Sequence, residues 1–518
     1  MQTSLTSRVQ SGIFWNTISV SSSYLLGLVR SVIMARLLLA QDFGLFGMAL
    51  TVVTGLGALT NIGLDISVIK TKFRNDEELF RHLDTIWTVD LVRRLMLTLL
   101  MLVLARPAAN FYGEAKVFDL LVLLSLLPLL QGFQNVGLMI YRKGVNFQKI
   151  VWLELSTNLL TAVATIALVL LTRNVWALVL SQLVSALIGV VLSYVVHPYR
   201  PHPRLDKNSL RLALGFGKHA FVLGVLGYVM IMADNILLGK LYSAAILGTY
   251  VIAYNLAVLP LHGISAVIVN VTFPAYAEIS AGSSTIEKDS PAVEPLLTGE
   301  RPSAISSVTE IRRLEHAFVR VFAISSTLLV LTTALLLLLG NEIIVFLYGT
   351  KLTAAGTILR ILALLVFCKG HATLVSPLLI SMRGIAPDVK LKLFEAAIFL
   401  VLLYPLTSHY GPLGAASAGA VAFFIAMINR LRVASLLLPN MSQTILRTVL
   451  SAGVACLFGI VGGALVIRYV ESIPGRLLLG GSVIAIVATV VMLALSPQLR
   501  VELSCLLAVH TRARETTT

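Results

Sequence analysis

Long apolar runs alternate with short polar segments along almost the whole chain. Fourteen of these runs are long enough to cross a bilayer as helices, because a hydrocarbon core of about 30 Å needs roughly 20 residues. They cover residues 11–36, 43–68, 85–105, 117–140, 150–172, 174–196, 215–239, 245–273, 315–340, 353–381, 390–408, 411–436, 446–468 and 476–496. The pattern predicts an all-α polytopic membrane protein with about 14 transmembrane helices.

Part of this pattern occurs twice, at a constant offset. The residue pairs that match are Arg36 with Lys240, Leu37 with Leu241, Ala40 with Ala244, Gly44 with Gly248 and Phe46 with Tyr250. Tyr112-Gly113 and Tyr348-Gly349 form a further pair, at a larger offset. An internal duplication in a polytopic membrane protein favours a transporter whose site lies between the two halves.

The duplication also sets the predicted organisation of the chain. Residues 1–197 form an N-terminal lobe with spans 1–6, and residues 215–437 form a pseudo-symmetric lobe with spans 7–12. A proline-containing and cationic segment, 198–214, is the predicted cytoplasmic linker between them. A polar loop over 277–313 is predicted to be a flexible cytoplasmic insertion in the second lobe. Spans 13 and 14, within 438–497, and a cytoplasmic tail over 498–518 lie outside the duplication.

Composition and charge agree with a membrane protein. Mean hydropathy is +0.90, and charged residues make up 13%, against about a quarter in soluble domains. Of the 40 lysines and arginines, 26 lie on the face that holds the termini and 8 on the opposite face, which predicts that both termini are cytoplasmic. The net charge of +15 is therefore a topology signal and predicts no nucleic-acid partner.

Ionisable residues deep in the predicted spans are the candidates for a substrate cavity, because such residues are costly in hydrocarbon. Arg30 and Asp234 occupy equivalent positions in the duplication, and the two would approach each other across a cavity in one conformation. Lys369 is the deepest cation and would bind phosphate or sugar, while Arg360 would reach toward the periplasm. The alternative for each is a structural contact inside its own lobe.

Three acidic residues lie nearer the cytoplasmic ends of spans and are candidates for ion coupling or gating: Asp65, Glu154 and Glu395. Structural contacts are again the alternative. Asp90 and Arg94 have i,i+4 spacing, which is typical of an ion pair on a helix surface. Capture of a pyrophosphate group by this charged cluster is the other interpretation.

Motifs of enzymes are missing. The three cysteines are scattered, and the sequence contains no P-loop and no HExxH motif. We therefore expect neither catalysis, nor a metal, nor a cofactor. A proton or sodium gradient, or the substrate gradient itself, would have to drive transport.

Several short segments carry a family resemblance. They are Ala35-Arg36-Leu37-Leu38 followed by Asp42-Phe43-Gly44, Asp234-Asn235 followed by Gly239-Lys240 and Leu247-Gly248-Thr249-Tyr250, then Pro260 and Phe273-Pro274. With these segments the chain resembles the polysaccharide transporter family (Wzx-like lipid-linked oligosaccharide flippases) of the multidrug/oligosaccharidyl-lipid/polysaccharide exporter superfamily. The resemblance implies two six-helix lobes in a V around a central cavity.

The resemblance also implies a function. Members move polyprenyl-pyrophosphate-linked oligosaccharide repeat units across the bacterial inner membrane for exopolysaccharide, capsule or O-antigen synthesis. The expected partners are this lipid-linked oligosaccharide, the lipid bilayer, and a polysaccharide polymerase with its export machinery.

Other functions stay open at this point. A cation-coupled multidrug exporter of the same superfamily would favour an acidic cavity, whereas Arg30, Lys369 and Arg360 favour an anionic substrate. A lipid-II-type peptidoglycan flippase would differ only in the sugar carried. A membrane-embedded glycosyltransferase or polymerase would usually need a large periplasmic loop, and the predicted non-cytoplasmic loops are all short.

Overall fold

Every regular element in the described part of the chain is a helix. The computed structural model describes residues 22–60, 63, 64, 67, 68, 71, 73–143, 147–215, 217–267, 308–496 and 500. The chain divides into two compact units, Met1–Ile252 and Ala253–Thr518. The predicted lobe boundaries at 197 and 215 stay a prediction.

The first unit contains a series of helices and the start of another that continues into the second unit. These are α1 (22–37), α2 (Ala40–Leu59), α3 (Asp76–Tyr112), α4 (Ala115–Leu124), α5 (Leu126–Gly132), α6 (Leu138–Lys143), α7 (Phe147–Thr172), α8 (Trp176–Val196), α9 (Lys207–Gly215), α10 (Gly217–Leu241) and the beginning of α11 (Ala244–Val267).

The second unit contains the two longest helices among the described residues, Val308–Tyr348 and Ile385–Leu437, and three others. They are α12 (Val308–Tyr348), α13 (Thr353–Arg383), α14 (Ile385–Leu437), α15 (Ser442–Ile467) and α16 (Ile473–Leu495). A π-helical turn at Arg476–Gly480 lies inside α16.

Eleven helices in the described residues are long and apolar enough to cross a membrane. This confirms the predicted all-α, multi-pass membrane architecture. One of the eleven, over Ala386–Leu437, contains predicted spans 11 and 12. The third predicted span lies within α3, which is not among the eleven, and the first is described only from residue 22 onward.

The helix α14 is broken where the sequence predicts two spans. Gly411 has φ +58° and ψ −137°, a conformation that glycine adopts at little cost, and Pro412 follows it. The chain is helical on both sides of this break. The two predicted spans therefore appear as one kinked element.

The predicted insertion loop is shorter at its C-terminal end than the sequence suggests. Helix α12 begins at Val308, whereas the predicted loop ended at 313. The first turns of this helix contain polar residues, among them Arg312 and Arg313. They precede the apolar run from which the span was predicted, so the prediction assigned them to the loop. Residues 277–307 of the predicted loop lie outside the described residues.

The predicted linker is hydrogen-bonded to the N-terminal third of α3. Tyr199 Oη donates a hydrogen bond to Asp84 Oδ1 (2.5 Å), and the backbone N–H of His202 donates to the same oxygen (2.9 Å). Two more backbone N–H groups of the segment donate to threonine hydroxyls of α3. Burial, together with Asp84, raises the pKa of Tyr199, which keeps the hydroxyl protonated as a donor. Helix α9 occupies the rest of the segment.

The last two helices pack against α12 through small and branched side chains. Ala452, Ala455, Ile484 and Ala488 are buried in one cluster together with Val330 and their neighbours. Small residues let helices approach closely, which favours packing in lipid. The opposite faces of α15 and α16 carry exposed leucines, as expected for surfaces in contact with hydrocarbon.

Candidate functional site

Asp234 is a buried carboxylate in the first unit, on α10. Its Oδ2 accepts a hydrogen bond of 2.6 Å from the hydroxyl of Tyr250 on α11, and both residues are at most 5% exposed. A hydrogen bond from a buried hydroxyl offsets part of the free energy that a carboxylate loses when it leaves water. Asp234 therefore fixes α11 against α10.

A second tyrosine connects α10 to α2. Tyr228 Oη donates to the carbonyl oxygen of Thr51 (3.1 Å) and lies against the Cα of Gly55. At the other end of α10, Lys240 Nζ donates to the Phe111 carbonyl (2.7 Å). The helix that carries Asp234 is thus anchored to α2 and α3 along its length.

Arg30 is half-buried on α1, within the predicted first span. Its Nε is enclosed by protein and has no hydrogen-bond partner. No ion pair joins Arg30 to Asp234 in the part of the chain that the structure describes, so their predicted approach is not seen in this conformation. Since guanidinium groups are rarely enclosed without a partner, this Nε is an unsatisfied donor, as is the Nε of Arg360.

In the second unit, Lys369 and Arg360 lie on opposite faces of α13. Lys369 is half-buried, and its Nζ lies 5.1 Å from the ring centroid of Phe423 on α14. Arg360 instead donates to the Leu338 carbonyl of α12 (3.3 Å) and lies 4.0 Å from Glu342. Nine residues of helix are two and a half turns, which explains the opposite directions. These two predicted cavity residues therefore do not share one site.

The neighbour of Lys369, His371, is a core residue. It is fully buried, and its ring nitrogens contact the Phe367 carbonyl (2.9 Å) and Ser326 Oγ (3.1 Å). Lys369 points toward α14 and His371 toward α12, as their spacing predicts. The histidine is occupied in helix packing.

Glu395 belongs to a buried ion-pair network on α13 and α14. It pairs with Arg430 Nε, and Arg430 Nη1 donates to Asp388 Oδ1 (2.7 Å). Ser376 Oγ bridges Arg430 and Asp388 at 2.8 and 2.9 Å, and Lys392 Nζ lies 3.0 Å from Asp388 Oδ2. The carboxylates and the guanidinium are each at most 5% exposed.

Sequence reasoning found only one member of this network. Arg430 lies buried within α14, inside the predicted span 411–436, and was not among the candidate site residues. A signal existed, because Asp388, Lys392 and Glu395 share one helix face by their i, i+4, i+7 spacing. An arginine inside an apolar run needs an acidic partner, and this face offers two.

Glu154 and Asp65 are the other two predicted coupling residues. Glu154 is exposed on α7. Asp65 lies outside the described residues. Their roles in ion coupling or gating stay predictions.

Comparison with known proteins gives a consistent result. The model of a family described as "Polysaccharide biosynthesis protein" matches residues 33–292, which is half of the chain. A succinoglycan biosynthesis transport protein (ExoT) of Rhizobium meliloti (strain 1021) is 27% identical over 277 residues, covering 52% of this chain and 54% of the relative. The lipopolysaccharide biosynthesis protein WzxC of Escherichia coli (strain K12) is 24% identical over 284 residues, covering 53% and 56%. The chain spans about half the length of the curated relatives it matches.

Solved structures show the same fold. A lipid II flippase, MurJ, in an inward closed conformation aligns with a TM-score of 0.69 at 14% identity, over 95% of this chain and 99% of that one. An inward-facing multidrug resistance transporter of the MATE family, from the MOP superfamily, aligns with a TM-score of 0.62 at 14% identity, over 83% and 99%. At this identity the likeness establishes the fold.

Proposed function

We propose that this chain, which belongs to the polysaccharide biosynthesis protein family, moves polyprenyl-pyrophosphate-linked oligosaccharide repeat units across the bacterial inner membrane by alternating access. Its similarity to a succinoglycan transport protein and to WzxC supports this function. The structural observation that carries the proposal is the Arg30 guanidinium, whose enclosed Nε has no partner within the described residues.

The substrate explains why such a group is needed. A pyrophosphate with a hydrated sugar chain cannot enter hydrocarbon unaided, because each unsatisfied polar group costs several kcal/mol there. A guanidinium offers a planar fork of donors that matches phosphate oxygens. Arg30 would take this role for the first unit, and Lys369 would act as a point charge for the second.

The acidic residues make a cationic drug a poorer candidate for the cargo. Asp234 accepts the Tyr250 hydroxyl, and Glu395 pairs with Arg430. Both carboxylates are thus already engaged in contacts that hold helices together. This favours an anionic cargo over the multidrug alternative.

The proposal includes topology and energetics. Both termini would be cytoplasmic, because the lysines and arginines concentrate on that face. A proton or sodium gradient, or the substrate gradient itself, would drive the cycle, and no catalytic step is assigned. A polysaccharide polymerase with its export machinery would receive the translocated unit.

Deletion of the gene in its bacterial host tests the proposal. We expect the completed repeat unit on polyprenyl pyrophosphate to accumulate, measured by mass spectrometry of lipid extracts, together with loss of surface polymer. Restoration by the intact gene is the control. Unchanged lipid-linked oligosaccharides, with new sensitivity to cationic drugs, would instead support the multidrug exporter.

A further inference from the structure

A pair of adjacent arginines on α3 is oriented by a single carboxylate. Arg93 donates to Asp90 Oδ1 through Nε (2.9 Å) and Nη2 (2.5 Å), and Arg94 Nε donates to Asp90 Oδ2 (2.6 Å). The three side chains are 20%, 21% and 24% exposed, in the order Arg93, Arg94 and Asp90. One carboxylate faces two guanidiniums, so the cluster keeps a net positive charge.

Neighbouring helices fix the far ends of both guanidiniums. Arg94 Nη1 donates to Gln131 Oε1 of α5 (2.8 Å), and Arg93 Nη1 lies 3.3 Å from Thr60 Oγ1 at the end of α2. Gly132 permits this approach, since a Cβ there would lie 3.1 Å from Arg94 Cδ. The two forks are therefore held in place before any ligand arrives, which lowers the entropy cost of binding.

The surface beside the cluster is apolar and faces outward. Val92, Leu95 and Met96 are 54%, 46% and 66% exposed on α3, and Phe133 is 44% exposed just after α5. The arginines contact the ends of two neighbouring helices, since Thr60 follows α2 and Gln131 lies in the last turn of α5. On the predicted topology these helix ends face the cytoplasm, where the chain's cations concentrate. A charged group and an exposed apolar face thus lie together at one bilayer interface.

We infer that Arg93 and Arg94 bind the phosphate headgroup of an anionic membrane lipid, whose hydrocarbon chain lies along the exposed face of α3. The chemistry is complementary at both ends. Phosphate oxygens accept from guanidinium forks, and acyl or prenyl chains contact the leucine and methionine side chains. A soluble anion would bind the guanidinium groups but would make no contact with the apolar surface. This site is separate from the role proposed for Arg30.

Two sources of such a lipid exist, and binding measurements distinguish them. The purified full chain in detergent is titrated with phosphatidylglycerol, with a C55 polyprenyl phosphate, and with a diacylglycerol of matched acyl chains, and bound lipid is counted by native mass spectrometry. We expect either phosphate lipid to bind more tightly than diacylglycerol. Preference for the polyprenyl phosphate would identify the site with cargo, and equal binding would identify it with bulk anionic lipid.

The variant R93Q/R94Q is expected to weaken phosphate-lipid binding about tenfold or more, because charge-assisted hydrogen bonds to both forks are lost. The matched control is R204Q/R211Q, which removes the same charge from two exposed residues of the predicted linker and α9. Its binding should stay within about twofold of the wild type. Equal losses in both variants, or no loss in R93Q/R94Q, would overturn the inference.

A conservative variant keeps the test valid if R93Q/R94Q does not fold. R93K/R94K retains both charges but not the planar forks, so it should fold and bind phosphate lipid several-fold more weakly than the wild type. Diacylglycerol binding should not change, because the apolar surface is intact. Wild-type affinity for phosphate lipids in R93K/R94K would count against binding by the forks.

Discussion

Gly44 and Gly248 each lie against the backbone of the other's helix. A Cβ on Gly44 would lie 1.7 Å from the Ala244 carbonyl oxygen, and a Cβ on Gly248 would lie 1.8 Å from the Ala40 carbonyl oxygen. The two contacts are reciprocal, and these four residues are the pairs that match in the internal duplication. The duplicated motif is therefore the place where the N-terminal turns of α2 and α11 cross.

This crossing predicts a strict requirement for glycine. Gly44→Ala places a methyl group inside contact distance of backbone that cannot move aside, so the crossing should open. A cysteine at the buried position Leu247 then reports on it through labelling with a membrane-impermeant maleimide, in a background without other cysteines. We expect labelling to rise at least several-fold.

Gly57→Ala is the matched control for this labelling. A Cβ at Gly57 would meet nothing within 4 Å, on the same helix α2. Because alanine is favoured over glycine inside a helix by about 0.5–1 kcal/mol, this variant should be as stable as the wild type or slightly more so. Equal labelling of the two variants would show that the crossing does not depend on Gly44.

Removal of the hydroxyl of Tyr250 should destabilise the first unit. Tyr250→Phe removes the 2.6 Å hydrogen bond to Oδ2 of the buried Asp234 carboxylate, and hydrogen bonds to charged groups contribute about 1.5–3 kcal/mol. Tyr228→Phe removes a bond to a neutral carbonyl and should cost only about 0.5–1.5 kcal/mol. Thermal unfolding in detergent measures both. A smaller loss in Tyr250→Phe than in Tyr228→Phe would contradict this assignment.

The buried network of α14 predicts a larger effect. Arg430→Met leaves Asp388 and Glu395 buried without their shared guanidinium, and breaking a buried ion pair costs about 3–5 kcal/mol. Lys392, whose side chain is 38% exposed, is the control, and Lys392→Met should cost about 1 kcal/mol or less. Recovery of part of the lost stability in the triple variant Arg430→Met, Asp388→Asn, Glu395→Gln would show that uncompensated charge causes the loss.

Hydropathy was enough to predict the helical membrane architecture, because every span must satisfy its own backbone. The duplication at Ala40, Gly44, Ala244 and Gly248 was also visible in the sequence, although the reciprocal contact was not. The sequence did not show which side chains on different helices contact each other. Glu395 was a candidate, and the acidic face that it shares with Asp388 is visible in the sequence, but the pairing of that face with Arg430 depends on packing and is not. The sequence also did not show that the linker is bound to α3, because its hydrogen-bond donors find their acceptors on that distant helix.

Arg30 and Lys369 carry the last prediction. Arg30→Gln removes a charge whose Nε is enclosed without a hydrogen-bond partner in the described residues, and loss of charge-assisted hydrogen bonds to phosphate should lower export about tenfold or more. Lys369→Met should lower it in the same direction, because the ammonium beside Phe423 acts as a point charge. Surface polymer per membrane-embedded protein is the measurement, with accumulation of lipid-linked oligosaccharide as the second readout.

Arg106→Gln, a change of an exposed arginine on α3, is the control and should leave export normal. Arg30→Lys should retain intermediate export, since the charge remains while the planar fork is lost. Wild-type polymer yield in both Arg30→Gln and Lys369→Met would remove these residues from the transport mechanism.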